Sequence, residues 1–155
     1  GYDPYVNEEI FDPDEVKIVD LDEIIKSSDI ITVHVPLLDS TKNLFNLETF
    51  KEMKSSARIV NVARGGIINE KDLAQALNDE IISGAAIDVF EQEPYSGNLA
   101  SLDQCLLTAH MGSMSVDCRT RMEIEATEEA VRFIRDEALQ SHVPQAEYDN
   151  QQVAA

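Results

Sequence analysis

The stretch RIVNVARGGIINEKDL, residues 58–73, joins an apolar run to two glycines and then to a charged, amphipathic segment. Residues 58–63 predict a buried strand, and residues 69–80 predict a helix with Asn69 as its N-cap. Gly65 and Gly66 give the backbone the freedom to turn between these two elements. A strand that passes directly into a helix is typical of a parallel sheet, so this stretch predicts an α/β fold.

The rest of the chain repeats the same alternation of apolar runs and helical patterns. Further helices are predicted at 20–29, 47–56 and 115–137, and further strands at 16–19, 30–35, 83–90 and 105–110. Parallel strands with near-continuous apolar sequence are normally buried on both faces, which predicts a doubly wound sheet with helices on both sides. Met122 and Phe133, on the last helix, are predicted to belong to the core.

The composition is that of a globular chain with a strong negative charge. The 155 residues are enough for one domain with a core, and the net charge is −18 with a pI near 4.3. Such a surface repels phosphate backbones and anionic lipids, so neither nucleic acid nor a membrane is an expected partner. No apolar run approaches the roughly 20 residues that span a bilayer.

The cysteines and histidines show no spacing that is typical of a metal site. Cys105 and Cys118 are interpreted as reduced thiols of a cytoplasmic protein, and a disulfide between them is the alternative. The three histidines form no pair at helical ligand spacing, so no metal is expected.

Charged and titratable side chains follow three of the predicted strands. Arg64 ends the strand at 58–63, Glu93 follows the strand at 83–90, and His110 ends the strand at 105–110. Because the carboxyl ends of parallel strands share one edge of a sheet, these side chains are candidates for one site. An arginine can bind a carboxylate through two hydrogen bonds, and a histidine can exchange a proton near neutral pH. A glutamate in contact with the histidine ring would fix its tautomer.

Each of these residues also has an ordinary structural interpretation. A strand-end arginine is often part of a surface ion pair, and a histidine after an apolar run is often bonded to backbone. Glu93 fits a solvated loop, and Asp88 fits a brace for the adjoining loop. Taken singly, these residues leave both interpretations open.

Four stretches in the same order resemble motifs of the D-isomer-specific 2-hydroxyacid dehydrogenases, in their NAD-binding domain. The stretches are SSDIITVHVPL (27–37), IVNVARGGIINEKDL (59–73), GAAIDVFEQEP (84–94) and LLTAHMGS (106–113). The resemblance implies a Rossmann-type fold, NAD as cofactor, and hydride transfer between NAD(H) and a small 2-hydroxy or 2-oxo acid. It also implies a homodimer.

The resemblance implies three catalytic residues. Arg64 would bind the substrate carboxylate, His110 would be the acid–base group, and Glu93 would support His110. The remaining matches are cofactor contacts. The residues implied are Asp3 at the adenosine ribose, Val35, Pro36 and Thr41 in a loop beside the cofactor, and Val62, Ala63, Asp88, Gly112 and Ser113 near the nicotinamide.

Two features of that family are missing from the 155 residues. The first Rossmann strand with its Gly-x-Gly-x-x-Gly loop is not present, and neither is a substrate domain. We therefore expect a C-terminal part of a dehydrogenase, with an incomplete NAD-binding domain at 1–137 and a tail at 138–155 that returns to the substrate domain. By itself this part is expected to be inactive.

Two alternatives to an enzyme follow from the same residues. The family includes NAD(H)-sensing corepressors that bind protein partners, and these resemble the chain through the same arginine, glutamate and histidine. A chain that binds no cofactor and acts only by oligomerising is the other alternative.

Overall fold

The computed structural model describes residues 1–5, 11–12 and 15–141. The chain divides into two compact units, of which the first is Gly1–Ala109 and the second begins at His110. The domain boundary expected at residue 137 stays a prediction.

The first unit is built on a parallel sheet of four strands. Its elements in chain order are α1 (Leu21–Ser27), β1 (Ile30–Val33), α2 (Leu47–Glu52), β2 (Arg58–Asn61), α3 (Glu70–Asn78), β3 (Gly84–Ile87), a short 3₁₀ helix (Asn98–Ser101) and β4 (Cys105–Leu107). The strands lie in the order β1-β2-β3-β4 and all pairs are parallel. The predicted α/β class is confirmed.

Helix α3 begins where the sequence predicts. The side chain of Asn69 accepts hydrogen bonds from the amides of Lys71 and Asp72, which satisfies two of the four amides that a helix start leaves unpaired. The helix buries Leu73 and Leu77 completely or nearly so against the sheet. The N-cap therefore fixes the residue at which α3 begins after β2.

The core lies on one face of the sheet. Ile31, Ile59 and Ile87 point into a cluster with side chains of α1, α2 and α3, whereas Ile30 is 63% exposed and Leu106 is 66% exposed on the other face. Among the described residues of the first unit, the connecting helices lie on one face of the sheet. The strand order never reverses, and right-handed crossovers that always advance in one direction place every connecting helix on the same side.

The prediction of a strand at 16–19 is wrong. Its residues are extended, and the amide of Val19 donates to the carbonyl of Gly1, while the Gly1 amino group donates to the carbonyl of Lys17. Among the described residues, these bonds pair the segment with Gly1 and not with a strand, and β-branched sequence without a longer partner does not make a ladder.

The second unit contains helix α4 (Val116–Ile134), whose N-cap is Ser115. None of its residues is buried, and Met122 and Phe133 are 54% and 76% exposed, so their prediction as core residues is wrong. An apolar side chain on a helix is buried only by a second element, and α4 is the one helix among the described residues of this unit. After α4 the chain turns back, and the amides of Gln140 and Ser141 donate to the carboxylate of Glu129.

Among the described residues, no helix has the length and the apolar character that crossing a membrane requires.

Candidate functional site

The carboxyl ends of the four strands form one register row. Val33 pairs with Asn61, Asn61 with Ile87, and Ile87 with Leu107. All four strands end at this row, two or three residues before the sequence pattern predicts. The candidate residues of the first unit therefore lie on loops that leave neighbouring strands at the same edge.

A buried asparagine shapes the turn that carries Arg64. Asn61 is 1% exposed, and its side-chain amide donates to the carbonyl of Arg64 (2.9 Å), while its Oδ1 accepts the amide of Ala63 (3.0 Å). The Arg64 side chain is exposed, and its Nη1 donates to the carbonyl of Ala63 (2.7 Å). Asn61 thus holds the backbone of the turn, while the guanidinium is exposed and can bind an anion.

Gly65 brings this turn against the loop that follows β3. A Cβ atom at Gly65 would lie 2.0 Å from the carbonyl oxygen of Phe90, 2.1 Å from its carbonyl carbon and 2.6 Å from the nitrogen of Glu91. These three atoms belong to one peptide group, so Gly65 packs directly on that group. No residue with a side chain fits at this position without moving one of the two loops.

The loop after β3 holds Glu93 near its own start. The amide of Phe90 donates to Oε1 of Glu93 (3.2 Å), and the Phe90 ring stacks on the Tyr95 ring at a centroid distance of 4.3 Å. The Tyr95 hydroxyl in turn accepts the amide of Leu99 (3.1 Å). These contacts make residues 90–95 a compact loop beside the Arg64 turn.

A buried carboxylate, that of Asp88, ties together the ends of β3 and β4. Asp88 is 7% exposed and accepts a hydrogen bond from the hydroxyl of Thr108 (2.5 Å). The bracing interpretation of Asp88 is therefore the one that the contacts support. It does not conflict with a position beside a cofactor, because the carboxylate stands at the same edge of the sheet.

The loop after β1 is braced by Thr41. Its hydroxyl donates to the carbonyl of Pro36 (2.6 Å) and accepts the amide of Leu38 (2.8 Å). Val35 is half-buried and Pro36 is exposed. The amide of Asn43 donates to the carbonyl of Gly66 (2.8 Å), which ties this loop to the Arg64 turn.

Two further candidates, Val62 and Ala63, lie in the Arg64 turn itself. Val62 is half exposed and Ala63 is partly buried. Asp3 stands apart from them in the chain, with an exposed carboxylate whose Oδ1 accepts the amide of Tyr5 (2.9 Å).

The candidates at 110–113 belong to the second unit. His110 is exposed and has a positive φ of +53°. A Cβ atom at Gly112 would have no neighbouring atom within 4 Å, and Ser113 is partly buried. His110 follows the last residue of β4 by three positions.

The structure of the first unit thus brings together the Arg64 turn, the Phe90–Glu93 loop, Asp88 and the loop at 35–41. Sequence patterns did not single out three residues that organise them, which are Asn61, Glu70 and Thr108. For Asn61 a signal existed, since a polar residue inside the apolar run 58–63 needs buried partners. Among the described residues, no group of three His, Cys, Asp or Glu side chains could hold a metal ion.

Both cysteines are free thiols in the described part of the chain. Burial raises the pKa of the Cys105 thiol to about 11, so this cysteine is protonated at neutral pH. Its side chain packs against the core, and a thiol that stays protonated is a poor nucleophile.

The sequence of the first unit matches a known family. A sequence model described as "D-isomer specific 2-hydroxyacid dehydrogenase, NAD binding domain" matches residues 1–112, which is more than half of the chain. The chain belongs to this family. The match includes the whole first unit and extends just past His110. The resemblance seen in the four motifs is confirmed, and the cofactor of the family is NAD.

Curated relatives of this dehydrogenase-family chain are named as oxidoreductases. D-3-phosphoglycerate dehydrogenase of Synechocystis is 39% identical over 140 residues, covering 90% of this chain and 24% of the relative. Glyoxylate reductase 1 of Saccharomyces cerevisiae is 40% identical over 133 residues, covering 85% of this chain and 38% of the relative. The chain therefore spans about a quarter to two fifths of the length of these relatives.

Solved structures show the same fold. D-lactate dehydrogenase with NAD+ from Lactobacillus jensenii superposes with a TM-score of 0.81 at 25% identity, covering 92% of this chain and 47% of that one. A formate dehydrogenase from Staphylococcus aureus in complex with NAD gives a TM-score of 0.79 at 33% identity, covering 90% and 42%. The Rossmann-type class is confirmed.

The residues of this chain suit such a cofactor. The edge offers an exposed apolar surface at Val62 and a proline at position 36, and Asp3 supplies an exposed carboxylate. A flat ring needs apolar surface, and a ribose diol needs a carboxylate acceptor.

Proposed function

We propose that this chain forms the part of an NAD-dependent D-2-hydroxyacid dehydrogenase that holds the cofactor and carries the catalytic side chains. The reaction is hydride transfer between NAD(H) and a small 2-oxo or 2-hydroxy acid. The observation that supports this most is the contact of the Arg64 turn with the Phe90–Glu93 loop through Gly65. Arg64 and Glu93, which we propose as catalytic residues, stand on the two loops that meet at this contact.

Arg64 anchors the substrate carboxylate. Its side chain is exposed at the carboxyl edge, and its backbone is fixed by Asn61, so the guanidinium leaves from a defined point. A guanidinium binds a carboxylate with two parallel hydrogen bonds, which orients the neighbouring carbonyl carbon. In a chain with a net charge of −18, a local cation of this kind is what lets an anionic substrate dwell at the site.

His110 is the proton donor and acceptor at the substrate oxygen. In reduction it gives a proton to the oxygen of the 2-oxo group, and in oxidation it takes the proton from the 2-hydroxyl. When bound, the nicotinamide ring supplies the hydride to the carbonyl carbon or accepts it from the hydroxyl carbon. In this proposal, which follows the family's motifs, Glu93 supports the acid–base role of His110.

Asp3 selects NAD over NADP. Its exposed carboxylate accepts hydrogen bonds from a ribose diol and repels a 2′-phosphate at the same place. The other cofactor contacts are Val35, Pro36, Thr41, Val62, Ala63, Asp88, Gly112 and Ser113. In these proposals Thr41 acts through Pro36, whose carbonyl it holds.

The 155 residues by themselves are inactive in this proposal. They contain no Gly-x-Gly-x-x-Gly loop to hold a pyrophosphate, and they span only part of the matched relatives. We further propose residues 1–137 as the NAD-binding part, with 138–155 returning to a substrate domain. The active form is a homodimer, and it works in the reducing cytoplasm, consistent with two free cysteines.

The test is a titration of the purified chain with NADH, followed by NADH fluorescence, for wild type, Asp3→Ala and Asp103→Ala. Asp103 is an exposed carboxylate just before β4, at the amino ends of the strands, whereas the candidate residues follow their carboxyl ends. Its variant therefore controls for the lost charge. We expect weak, saturable binding that falls at least tenfold in Asp3→Ala and is unchanged in Asp103→Ala. Equal binding by the two variants would contradict the role of Asp3.

Turnover is measured on the same preparation. NADH oxidation is followed with glyoxylate, pyruvate and 3-phosphohydroxypyruvate as 2-oxo acids. No turnover is expected from the chain alone, and a measurable rate that disappears in Arg64→Lys would contradict the predicted inactivity while supporting the role of Arg64.

A further inference from the structure

A single peptide group, the one that joins Phe90 to Glu91, is held on two sides by the segment that carries Arg64. Its face packs on Gly65, as the 2.0 Å approach of a Cβ to the Phe90 carbonyl oxygen shows. Its N–H, which is the amide of Glu91, donates to Oε1 of Glu70 (2.7 Å). Glu70 is five residues beyond Gly65, at the first position of α3.

The same peptide group leads directly to Glu93. The neighbouring amide, that of Phe90, donates to Oε1 of Glu93 (3.2 Å). A shift of the Phe90–Glu91 peptide therefore moves the donor that the Glu93 carboxylate uses. It also moves the surface on which the Arg64 turn rests.

We infer that Glu70 is a positioning residue, which holds the Phe90–Glu91 peptide and so sets the place of Glu93 relative to the Arg64 turn. This inference rests on the proposed function for the meaning of Arg64 and Glu93. Glu70 does not touch the reacting atoms in this proposal, and it acts through the backbone of Glu91.

The placement of Glu70 is well suited to this task. Asn69 caps α3 and fixes where the helix starts, so the first residue of the helix has a defined position. The two residues between the Gly65–Gly66 turn and that cap are Ile67 and Ile68. Both are buried, which fixes this part of the chain against the core. A carboxylate at a helix start is also favoured by the helix dipole.

The surroundings of Glu70 are consistent with a carboxylate that is held inward. Burial raises the pKa of Glu70 above its ordinary value, the amide of Glu91 opposes this shift, and the charge of Glu91 adds to it. Burial likewise raises the pKa of the Tyr95 hydroxyl, with a smaller contribution from Glu70. A carboxylate kept in place against both burial and a like charge needs the amide contact that it makes.

The experiment compares Glu70→Ala, Glu70→Gln and Asp72→Ala by amide NMR and hydrogen exchange on the whole chain. Asp72 is the matched control, because it lies in the same helical turn and its carboxylate accepts a different amide, that of Leu47 (3.0 Å). Loss of the hydrogen bond to a charged acceptor is expected to speed exchange at the Glu91 amide about tenfold or more in Glu70→Ala. The amide resonances of Phe90, Gly65 and Gly66 should shift with it.

Glu70→Gln keeps an acceptor oxygen, so it should restore most of the wild-type pattern. In Asp72→Ala the changes should centre on Leu47. The inference is overturned if Glu70→Ala leaves the Gly65 and Gly66 resonances unchanged, or if Asp72→Ala moves them equally.

A second measurement does not depend on the folding of the alanine variant. In Glu91→Gln, which keeps the backbone amide and removes its own carboxylate, the amide of position 91 should still shift with pH as Glu70 titrates. A pH-independent resonance would overturn the contact. Neither measurement uses cofactor or substrate, so failure of the NADH titration would refute the proposed function and leave this result standing.

Discussion

Replacing Gly65 by alanine tests the close approach of the two loops that the proposed site depends on. The new Cβ would lie 2.0 Å from the Phe90 carbonyl oxygen, whereas ordinary van der Waals contact begins near 3.4 Å, so the loops must separate by about 1.4 Å. The obstructing atoms are backbone, which cannot rotate away as a side chain can. Overpacking of this kind costs about 1–3 kcal/mol, and the strained hydrogen bond from Glu91 to Glu70 adds about 1 kcal/mol.

We therefore expect Gly65→Ala to lower the free energy of unfolding by about 2–4 kcal/mol. The control is Gly66→Ala, where the Cβ would make ordinary contacts with the side chains of Leu37, at 3.5 Å, and Glu91, at 4.0 Å, and the cost comes from the positive φ of +84°. A left-handed conformation costs a non-glycine residue about 1–2 kcal/mol. Gly66→Ala should thus be the milder change, although both glycines are neighbours in the same turn.

The assay is urea unfolding followed by far-UV circular dichroism, with hydrogen exchange at the β2 amides as a local measurement of the first unit. A Gly65→Ala variant within about 0.5 kcal/mol of wild type, or more stable than Gly66→Ala, would refute the argument. The loops would then be adaptable, and their contact would not define the site.

Three further predictions concern single residues. Asn61→Ala should lower the free energy of unfolding by about 2–3 kcal/mol in urea, because it leaves the Ala63 amide and the Arg64 carbonyl without their partner, and a loss below about 0.5 kcal/mol would contradict this. Burial raises the folded-state pKa of Glu70 above the unfolded value near 4.5, so its ionisation favours the unfolded chain, and the stability present at low pH is lost as pH rises through the folded pKa. Glu70→Gln should therefore gain stability relative to wild type as pH rises above about 4.5, and a difference independent of pH would contradict the shift. Cys105, with its pKa raised to about 11 from 9.0, should react with iodoacetamide at about pH 8 roughly 100-fold more slowly in the native chain than in urea, as measured by mass spectrometry, and equal rates would contradict its burial.

The sequence predicted the local parts of the fold well, because local rules decide them. The cap of α3 by Asn69 is an example, since a side chain that accepts amides two and three residues ahead needs no information from elsewhere. The strands were predicted too long for a related reason. Val89 and Phe90 are buried, but they lie in the loop after β3, because an apolar run signals burial and not strand pairing.

The sequence predicted less well which faces of the sheet and of the helices are buried. Whether a sheet face or a helix face is buried depends on the partner that the rest of the chain supplies, and periodicity does not show the partner. Ile30, Leu106 and Phe133 have the apolar character of core residues, and all three are exposed in the described structure. For the sheet, the decisive fact is the strand order, which the sequence does not state.

The candidate site was predictable only in its charged side chains. Arg64, Glu93 and His110 stand in motifs, but several contacts that join the candidate loops of the first unit are long-range along the chain. Glu70 lies 21 residues from the amide of Glu91, and Thr108 lies 20 residues from Asp88. No local pattern connects positions so far apart.

Three of the residues that shape the candidate site, Asn61, Gly65 and Glu70, share one property, which is that each contacts a backbone group. Asn61 holds the amide of Ala63 and the carbonyl of Arg64, Gly65 makes room for a carbonyl, and Glu70 holds an amide. Backbone carbonyl and amide groups are present whatever the local sequence. The segments that supply the contacted groups can therefore change their side chains without losing these contacts. It follows that conservative changes at the exposed Glu91 side chain should matter less than a methyl group at Gly65, because the first leaves the shared peptide in place and the second displaces it.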